Sequence, residues 1–399
     1  ISARNINKKR QFKINKKIFF KNPLEIFNKS KVDILFEAIG QSDGVSKKVV
    51  ETALKKKIHV ITPNKALIAS HGEELFSLAQ KHSVSLRFEA AVAGSIPIVK
   101  VLRESLSGNK ISCVAGIING TTNYILSEMA VSDRSFSDIL SEAQKLGFAE
   151  ADPTFDIEGI DAGHKLVILA SLAFGIPLSL DGLCAEGMSQ ISIADLKSAS
   201  ELGYRIKHLA LARLVDERLE LSVHLALISE AHLISRIDGV GNAIFIQGDP
   251  SGETLLCGAG AGAGPTASSV VSDVIDLARN LIQEQADQVK HLGFSATAIK
   301  PRELLNQDEI VASWYLRIEA EDSSKSISSI TDILTKRDIS KQTIVSKTID
   351  ISTKKIEIVI ITNPSKAKAL FDAAEEISRL PSVFGAITKI RIEDLPSCT

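Results

Sequence analysis

From Val32 to Phe88 the hydrophobic pattern reads as a parallel sheet flanked by helices. Val32-Asp33-Ile34-Leu35-Phe36-Glu37-Ala38-Ile39-Gly40 is a short apolar run closed by a glycine, as a buried strand would be. Ser46 to Lys56 has helical periodicity, Ile58 to Ile61 is the next strand, Glu73 to His82 a helix and Val84 to Phe88 a strand. Strand, helix, strand, helix, strand in this order predicts a parallel sheet with helices packed on it. Ligands of such sheets bind beyond the carboxyl ends of the strands. Gly40-Gln41-Ser42 and Thr62-Pro63-Asn64-Lys65 lie at such ends, which points Lys65 toward a ligand crevice. The plainer role for Lys65 is solvation or capping at a helix start.

A different pattern follows. Val92 to Pro97 is a tight loop of small residues, Ile98 to Leu106 a helix and Ile111 to Ile117 a strand. The strand runs into Asn119-Gly120-Thr121-Thr122-Asn123, a polar turn that caps a helix from Tyr124. Phe136 to Leu146 is a helix ended by Gly147. After Gly203 the pattern changes to antiparallel strands: Ile206 to Leu214, Leu219 to Leu227, and Asn242 to Gln247 paired with Glu253 to Cys257. Four glycines between Gly258 and Gly264 then precede Pro265 and the apolar-periodic helix Val270 to Ile282. A glycine-rich turn at a helix start lets backbone approach an anion or a cofactor ring; a flexible linker is the alternative. The tail reads as a separate module. Its strands are Trp314–Ala320, Gln342–Lys347, Lys355–Ile361 and Ile387–Ile392, with helices Ile327–Lys336 and Lys366–Leu380, in the ferredoxin-like βαββαβ order.

Between Gly147 and the apolar stretch Leu166 to Phe174 lies the most distinctive segment, Glu150 to Lys165. Pro153 and a dense set of acids exclude a buried strand or an ordinary amphipathic helix in its first part. From Asp161 the pattern turns helical, and Asp161 and Lys165, four apart, share one face. Acids that can hold an ammonium beside a lysine that can move a proton at a hydroxyl or carbonyl suit a small zwitterionic substrate. An acidic surface loop with an exposed ion pair is the alternative.

Composition narrows the class. The chain has 399 residues, 44% hydrophobic and 24% charged, with a net charge of -1, so no overall bias toward nucleic acid or membrane exists. The first 31 residues are rich in lysine and arginine (among them Arg4, Lys8, Lys9 and Arg10) but lack interleaved aromatics, which favours a solvated surface over a nucleic-acid arm. The four cysteines stand far apart and the histidines lack ligand spacing, so neither a disulfide frame nor a transition-metal site is expected. No run is long enough to span a bilayer, and a cytoplasmic protein is expected.

Five motifs, in order, resemble the homoserine dehydrogenase family in its single-function form with a C-terminal ACT domain. They are Thr62-Pro63-Asn64-Lys65-Ala66-Leu67, Arg87-Phe88-Glu89-Ala90-Ala91-Val92-Ala93-Gly94-Ser95-Ile96-Pro97, Asn119-Gly120-Thr121-Thr122-Asn123-Tyr124-Ile125-Leu126, the acidic segment, and the glycine loop before Pro265-Thr266-Ala267. The resemblance runs from about Ile1 to Leu395. It implies an α/β fold with an incomplete Rossmann-type parallel sheet (1–90), an α+β catalytic and dimerisation domain (91–285) whose last helix packs back on the nucleotide domain, a linker (286–310) and a ferredoxin-like ACT domain (311–399). It implies NAD(P)-dependent interconversion of L-homoserine and L-aspartate 4-semialdehyde in threonine, methionine and isoleucine biosynthesis, by a homodimer or homotetramer.

Carried over by motif, Lys165 is the general acid/base. Lys65 lies at the nicotinamide and the substrate hydroxyl. Gly147, Glu150, Asp156 and Asp161 surround the amino-acid substrate. Arg4, Ile39, Gly40, Gly147, Glu150 and Gly262 stand where the family binds its cofactor. Glu89, Val92, Gly94 and Ile96 match a loop that binds a structural sodium or potassium ion, mainly through backbone oxygens.

The chain departs from the family pattern at two places. A dinucleotide fold needs a first strand and a Gly-x-Gly-x-x-Gly turn, and neither precedes Val32. The chain therefore reads as a fragment of a longer protein; the alternative is a non-catalytic homologue serving as a regulatory or assembly subunit. Arg4 with Lys8, Lys9 and Arg10 favours NADP, with NAD as the second choice, because a basic residue at the end of the second strand accommodates the 2′-phosphate. In the tail, Glu321-Asp322-Ser323-Ser324-Lys325-Ser326 lacks the glycine of ligand-binding ACT turns. Threonine feedback there is not expected, and the module reads as serving assembly.

Overall fold

The computed structural model describes residues 1–3, 5, 15–283, 289–350, 352 and 354–395. They divide into two compact units. The first comprises Ile1–Asn109, Val167–Asp181 and Gly258–Pro301, the second Lys110–Leu166, Gly182–Cys257 and Arg302–Thr399. The stretch expected to be a linker is thus shared between them.

The first unit is built on three parallel strands, Ile34–Phe36, His59–Ile61 and Leu86–Arg87, in that order. Ile34 pairs with His59, and Val60 with Leu86. The Val45–Lys55 helix buries Ser46, Val49, Val50, Ala53 and Leu54, the i, i+3, i+4 stripe that anchors a helix to a sheet. The next helix covers Lys65–Lys81, a longer span than the Glu73–His82 pattern suggests. It starts early because the Asn64 side chain accepts from the Leu67 amide at 3.1 Å and so satisfies an orphan donor of the first turn. Its interior Gly72 is a packing requirement, since a Cβ there would lie 2.4 Å from Leu178 Cδ1. The Ala263–Ile282 helix joins this unit, burying Val270 and Leu277 against Ile61 and Ala90.

The second unit holds a sheet of eleven described strands. Its main path runs Lys341–Asp350, Lys355–Thr362, Val311–Glu321, Val383–Ile392, Arg218–Ser229, Tyr204–Val215, Lys110–Ile117, Gly241–Asp249, Gly252–Ala259. Helices Gly120–Val131 and Phe136–Leu146 pack here, contributing Ile125, Met129, Ile139 and Ala143 to a core with Leu227, Tyr315 and Ile390. A third helix, Ile193–Glu201, was not visible in the hydrophobic pattern. A capping box between Ser192 and Asp195 starts it, and Asp195 pairs at 2.5 Å with Arg317 of the tail.

The tail has the βαββαβ order, with helices Ser324–Lys336 and Ala367–Ser378 packed over Leu316, Ile318, Ile358 and Ile360. It is continuous with the rest of the unit. Strand Val383–Ile392 runs antiparallel to Val311–Glu321 on one side and parallel to Arg218–Ser229 on the other, through Arg391↔Ala226 and Ile392↔Leu227. A buried charge cluster closes the junction. Arg391 pairs with Glu220 at 2.7 Å and also with Glu393, and Glu393 pairs with Arg213 at 2.9 Å and His224 at 3.1 Å.

Candidate active site

In the second unit, the Lys110–Ile117 strand delivers Ile118 and Asn119 to the start of the Gly120–Val131 helix. Asn119 is the cap, its Oδ1 accepting from the Thr122 amide at 2.9 Å. Its Nδ2 donates to Asp156 Oδ1 at 2.7 Å and to Asp161 Oδ2 at 2.9 Å. The Ile160–Phe174 helix places Asp161 in its first turn, where the helix dipole favours an acid. One turn on, Lys165 is 9% exposed. Its ammonium donates to Asp161 Oδ2 and to the Ile118 carbonyl, both at 2.7 Å. A buried ammonium is tolerated only when paired and hydrogen-bonded, and here a carboxylate and a carbonyl meet it. Thr121 Oγ1 donates to the Phe148 carbonyl at 2.7 Å, tying the stretch after Gly147 to the same helix start. Gly147 is left-handed (φ 78°) and ends the Phe136–Leu146 helix. Glu150 is exposed, outside the hydrogen-bonded cluster, and its carbonyl accepts from Gln144 Nε2 at 3.0 Å.

In the first unit, the loops at the carboxyl ends of two parallel strands carry Ile39-Gly40 and Lys65. Gly40 has φ 91° and open space where a Cβ would stand. Lys65 opens its helix directly after the Asn64 cap. The loop from Glu89 to Pro97 meets the glycine stretch: the Ser95 amide donates to the Ala259 carbonyl at 3.1 Å, and Ser269 Oγ to the Gly94 carbonyl at 2.7 Å. Gly94 is obligatory there. It has φ 55°, and a Cβ would fall 2.6 Å from the Gly260 carbonyl oxygen. The Glu89 carboxylate accepts from the Val99 and Lys100 amides at 2.9 and 3.0 Å. Burial, and then the nearby Asp273 carboxylate, push Glu89 up to about 7. Gly262, with φ 110°, precedes the Ala263–Ile282 helix without a side-chain cap. Arg4 lies outside the described residues.

The homoserine dehydrogenase family model matches residues 97–275, and the model for the homoserine dehydrogenase NAD-binding domain matches residues 1–89. A curated homoserine dehydrogenase of Neisseria gonorrhoeae is 46% identical over 364 residues, 91% of this chain and 83% of that one. The chain belongs to the homoserine dehydrogenase family. The crystal structure of a homoserine dehydrogenase from Thiobacillus denitrificans superposes with a TM-score of 0.88 at 43% identity, over 94% of this chain and 85% of that one. A hyperthermophilic archaeal homoserine dehydrogenase mutant solved in complex with NADPH matches with a TM-score of 0.56 at 30% identity, over 65% of this chain and 75% of that one.

As a homoserine dehydrogenase, the protein is an oxidoreductase whose substrate pair is L-homoserine and L-aspartate 4-semialdehyde, and it binds a nicotinamide nucleotide. The reading as a non-catalytic homologue is not favoured. Among the described residues, no helix is long and apolar enough to cross a membrane. The structure joins Lys165, Asp161 and Asp156 in one network and leaves Glu150 outside it. From the sequence, Asn119 reads only as a helix cap. Its second task, bridging two carboxylates, depends on the fold bringing residue 119 beside residues 156 and 161. Glu37, a buried acid tied to Ile39 and Thr62, is a second residue with no site role evident from sequence. The available signal was an acid inside an otherwise apolar strand pattern.

Proposed function

We propose that Lys165 is the acid/base of this homoserine dehydrogenase. The observation that carries the reading is the buried ammonium held at 2.7 Å by both Asp161 and the Ile118 carbonyl. An ammonium has three donors. Two are spent inside the protein, and the third remains for the oxygen on the reacting carbon. When the semialdehyde is reduced, Lys165 gives its proton to the developing alkoxide; when homoserine is oxidised, neutral Lys165 takes the hydroxyl proton. A bound nicotinamide supplies or accepts the hydride. Asp161 orients the lysine, and Asp156 with Glu150 receives the substrate ammonium. Gly147, with open space where a Cβ would stand, is proposed as a further substrate contact.

The residues at the sheet's carboxyl end fit a dinucleotide: open backbone at Gly40 beside Ile39, a lysine at Lys65, and the helix start after Gly262 without a side-chain cap. NADP is the proposed cofactor, supported by Arg4 with its basic neighbours and by the NADPH complex of the archaeal relative. Backbone oxygens of Glu89, Val92, Gly94 and Ile96 are proposed to hold a sodium or potassium ion that stiffens the loop. We take the βαββαβ tail as the ACT-type module of a cytoplasmic homodimer or homotetramer. Initial rates of homoserine oxidation with NADP and with NAD test the cofactor assignment. NADP is expected to give the higher kcat/KM, by about 10-fold, the scale of one charge-assisted contact; equal values would withdraw it.

A further inference from the structure

A buried acid stands one residue beyond the first parallel strand. Glu37 is 2% exposed, and its carboxylate takes up donors from three separate segments. Oε1 accepts from the Ile39 amide at 2.5 Å and from Ser46 Oγ at 2.8 Å, and Oε2 accepts from Thr62 Oγ at 2.6 Å. Its own amide donates to the Ile61 carbonyl at 2.9 Å. The chain of bonds continues from there. Thr62 Oγ accepts from the Asn64 amide at 3.0 Å, and Asn64 Nδ2 donates to the Gln41 carbonyl at 2.8 Å and to Ser46 Oγ at 3.0 Å. Asn64 Oδ1 then caps the helix that opens with Lys65.

A carboxylate is costly to bury, and a hydrophobic residue would serve a strand end more cheaply. Its use here is geometric. An ionised carboxylate only accepts, so it fixes the direction of every hydroxyl around it: Thr62 and Ser46 must both point their protons at Glu37. That leaves the Thr62 oxygen to receive the Asn64 amide and the Ser46 oxygen to receive Asn64 Nδ2. The polarity of the whole network follows from one negative group. The parts it ties together are the Ile39-Gly40 backbone and the Lys65 helix start, both at the carboxyl ends of parallel strands, where ligands of such sheets bind.

We infer that Glu37 is a positioning residue for the nicotinamide cofactor: its carboxylate holds the Ile39-Gly40 backbone and the Lys65 helix start in fixed register through Ser46, Thr62 and Asn64. The inference rests on the reading of Ile39, Gly40 and Lys65 as cofactor contacts. Glu37→Gln replaces one acceptor by a donor and sets it against a hydroxyl or an amide that already donates, which costs about a tenfold factor in an equilibrium.

The test is steady-state kinetics of Glu37→Gln, Ser46→Ala and Lys65→Ala in the full protein, with thermal melting of each. Glu37→Gln is expected to raise the KM for the cofactor about 10-fold and Ser46→Ala about 3-fold, with the KM for homoserine near wild type and the melting temperature lowered by only a few degrees. Lys65→Ala is expected to raise the cofactor KM as well. If Lys65→Ala leaves the cofactor KM unchanged, the cofactor reading of these loops fails and the inference falls with it. If Lys65→Ala raises it while Glu37→Gln changes only stability, the loops are cofactor loops and Glu37 does not position them. If Glu37→Gln does not fold, Ser46→Ala decides: an unchanged cofactor KM overturns the inference.

Discussion

Asn119 spends its side chain on three partners at once: the Thr122 amide, Asp156 and Asp161. Two carboxylates this close to one amide would repel each other without a donor between them, and the Asn119 NH2 supplies both bonds. The Lys165 ammonium then neutralises Asp161, and Asp156 is the acid we propose for the substrate ammonium. Asn119→Asp separates the two tasks of this residue. An aspartate caps a helix as well as an asparagine does, so the fold should survive. It would, however, put a third carboxylate where a donor is needed, costing about 1–3 kcal/mol at the cluster. The expected outcome is kcat/KM for homoserine lower by about 10-fold or more, with the melting temperature lowered by a few degrees, read by steady-state rates and thermal unfolding. Unchanged kinetics would make Asn119 a cap and nothing more.

At the scale of elements, what the sequence shows and what it hides follow from the range of the forces involved. Helices with a clean apolar stripe and a cap at each end are local facts. Phe136–Leu146 has Ser135 at one end and left-handed Gly147 at the other, and its bounds could be read directly. The Lys65–Lys81 helix could be read only in part, because Gly72 interrupts the pattern for a reason carried by Leu178, far along the chain. The Ile193–Glu201 helix is short, and its buried Asp195 answers to Arg317, so its pattern looks polar until the partner is known. The site behaves the same way. Asp161 and Lys165 meet by helix periodicity and were legible. Ile118 meets Lys165, Asn119 meets Asp156 and Asp161, and Glu37 meets Thr62, partners distant in sequence that only the fold brings to them.

For the whole molecule, the consequence least visible in sequence is that the tail does not stand alone. Two residues of parallel pairing would be a weak joint, but Arg391 and Glu393 carry it into a buried cluster with Glu220, His224 and Arg213. Burial alone would raise the Glu393 carboxyl above its ordinary value. The Arg391 guanidinium, the His224 hydrogen bond and Arg213 outweigh that and hold it at about 2, below the ordinary glutamate value of 4.5. A folded value below the unfolded one means stability that is fully present above about pH 4.5 and is lost as pH falls toward 2. Melting temperature should therefore drop across that window. Glu393→Gln should flatten the drop, and it should cost about 3–5 kcal/mol at neutral pH by leaving buried guanidinium groups underpaired. Equal pH profiles for the two proteins would remove the cluster from acid sensitivity.

In the proposed chemistry a buried lysine, pinned by Asp161 and a backbone carbonyl, exchanges the proton while hydride moves between cofactor and substrate. Turnover of Lys165→Ala compared with wild type, together with homoserine binding to the same variant, tests it most directly. A loss of about 10²–10⁴-fold in kcat is expected, the usual worth of a positioned acid/base, with homoserine still bound. Turnover within about two-fold of wild type, far below that range, would contradict it.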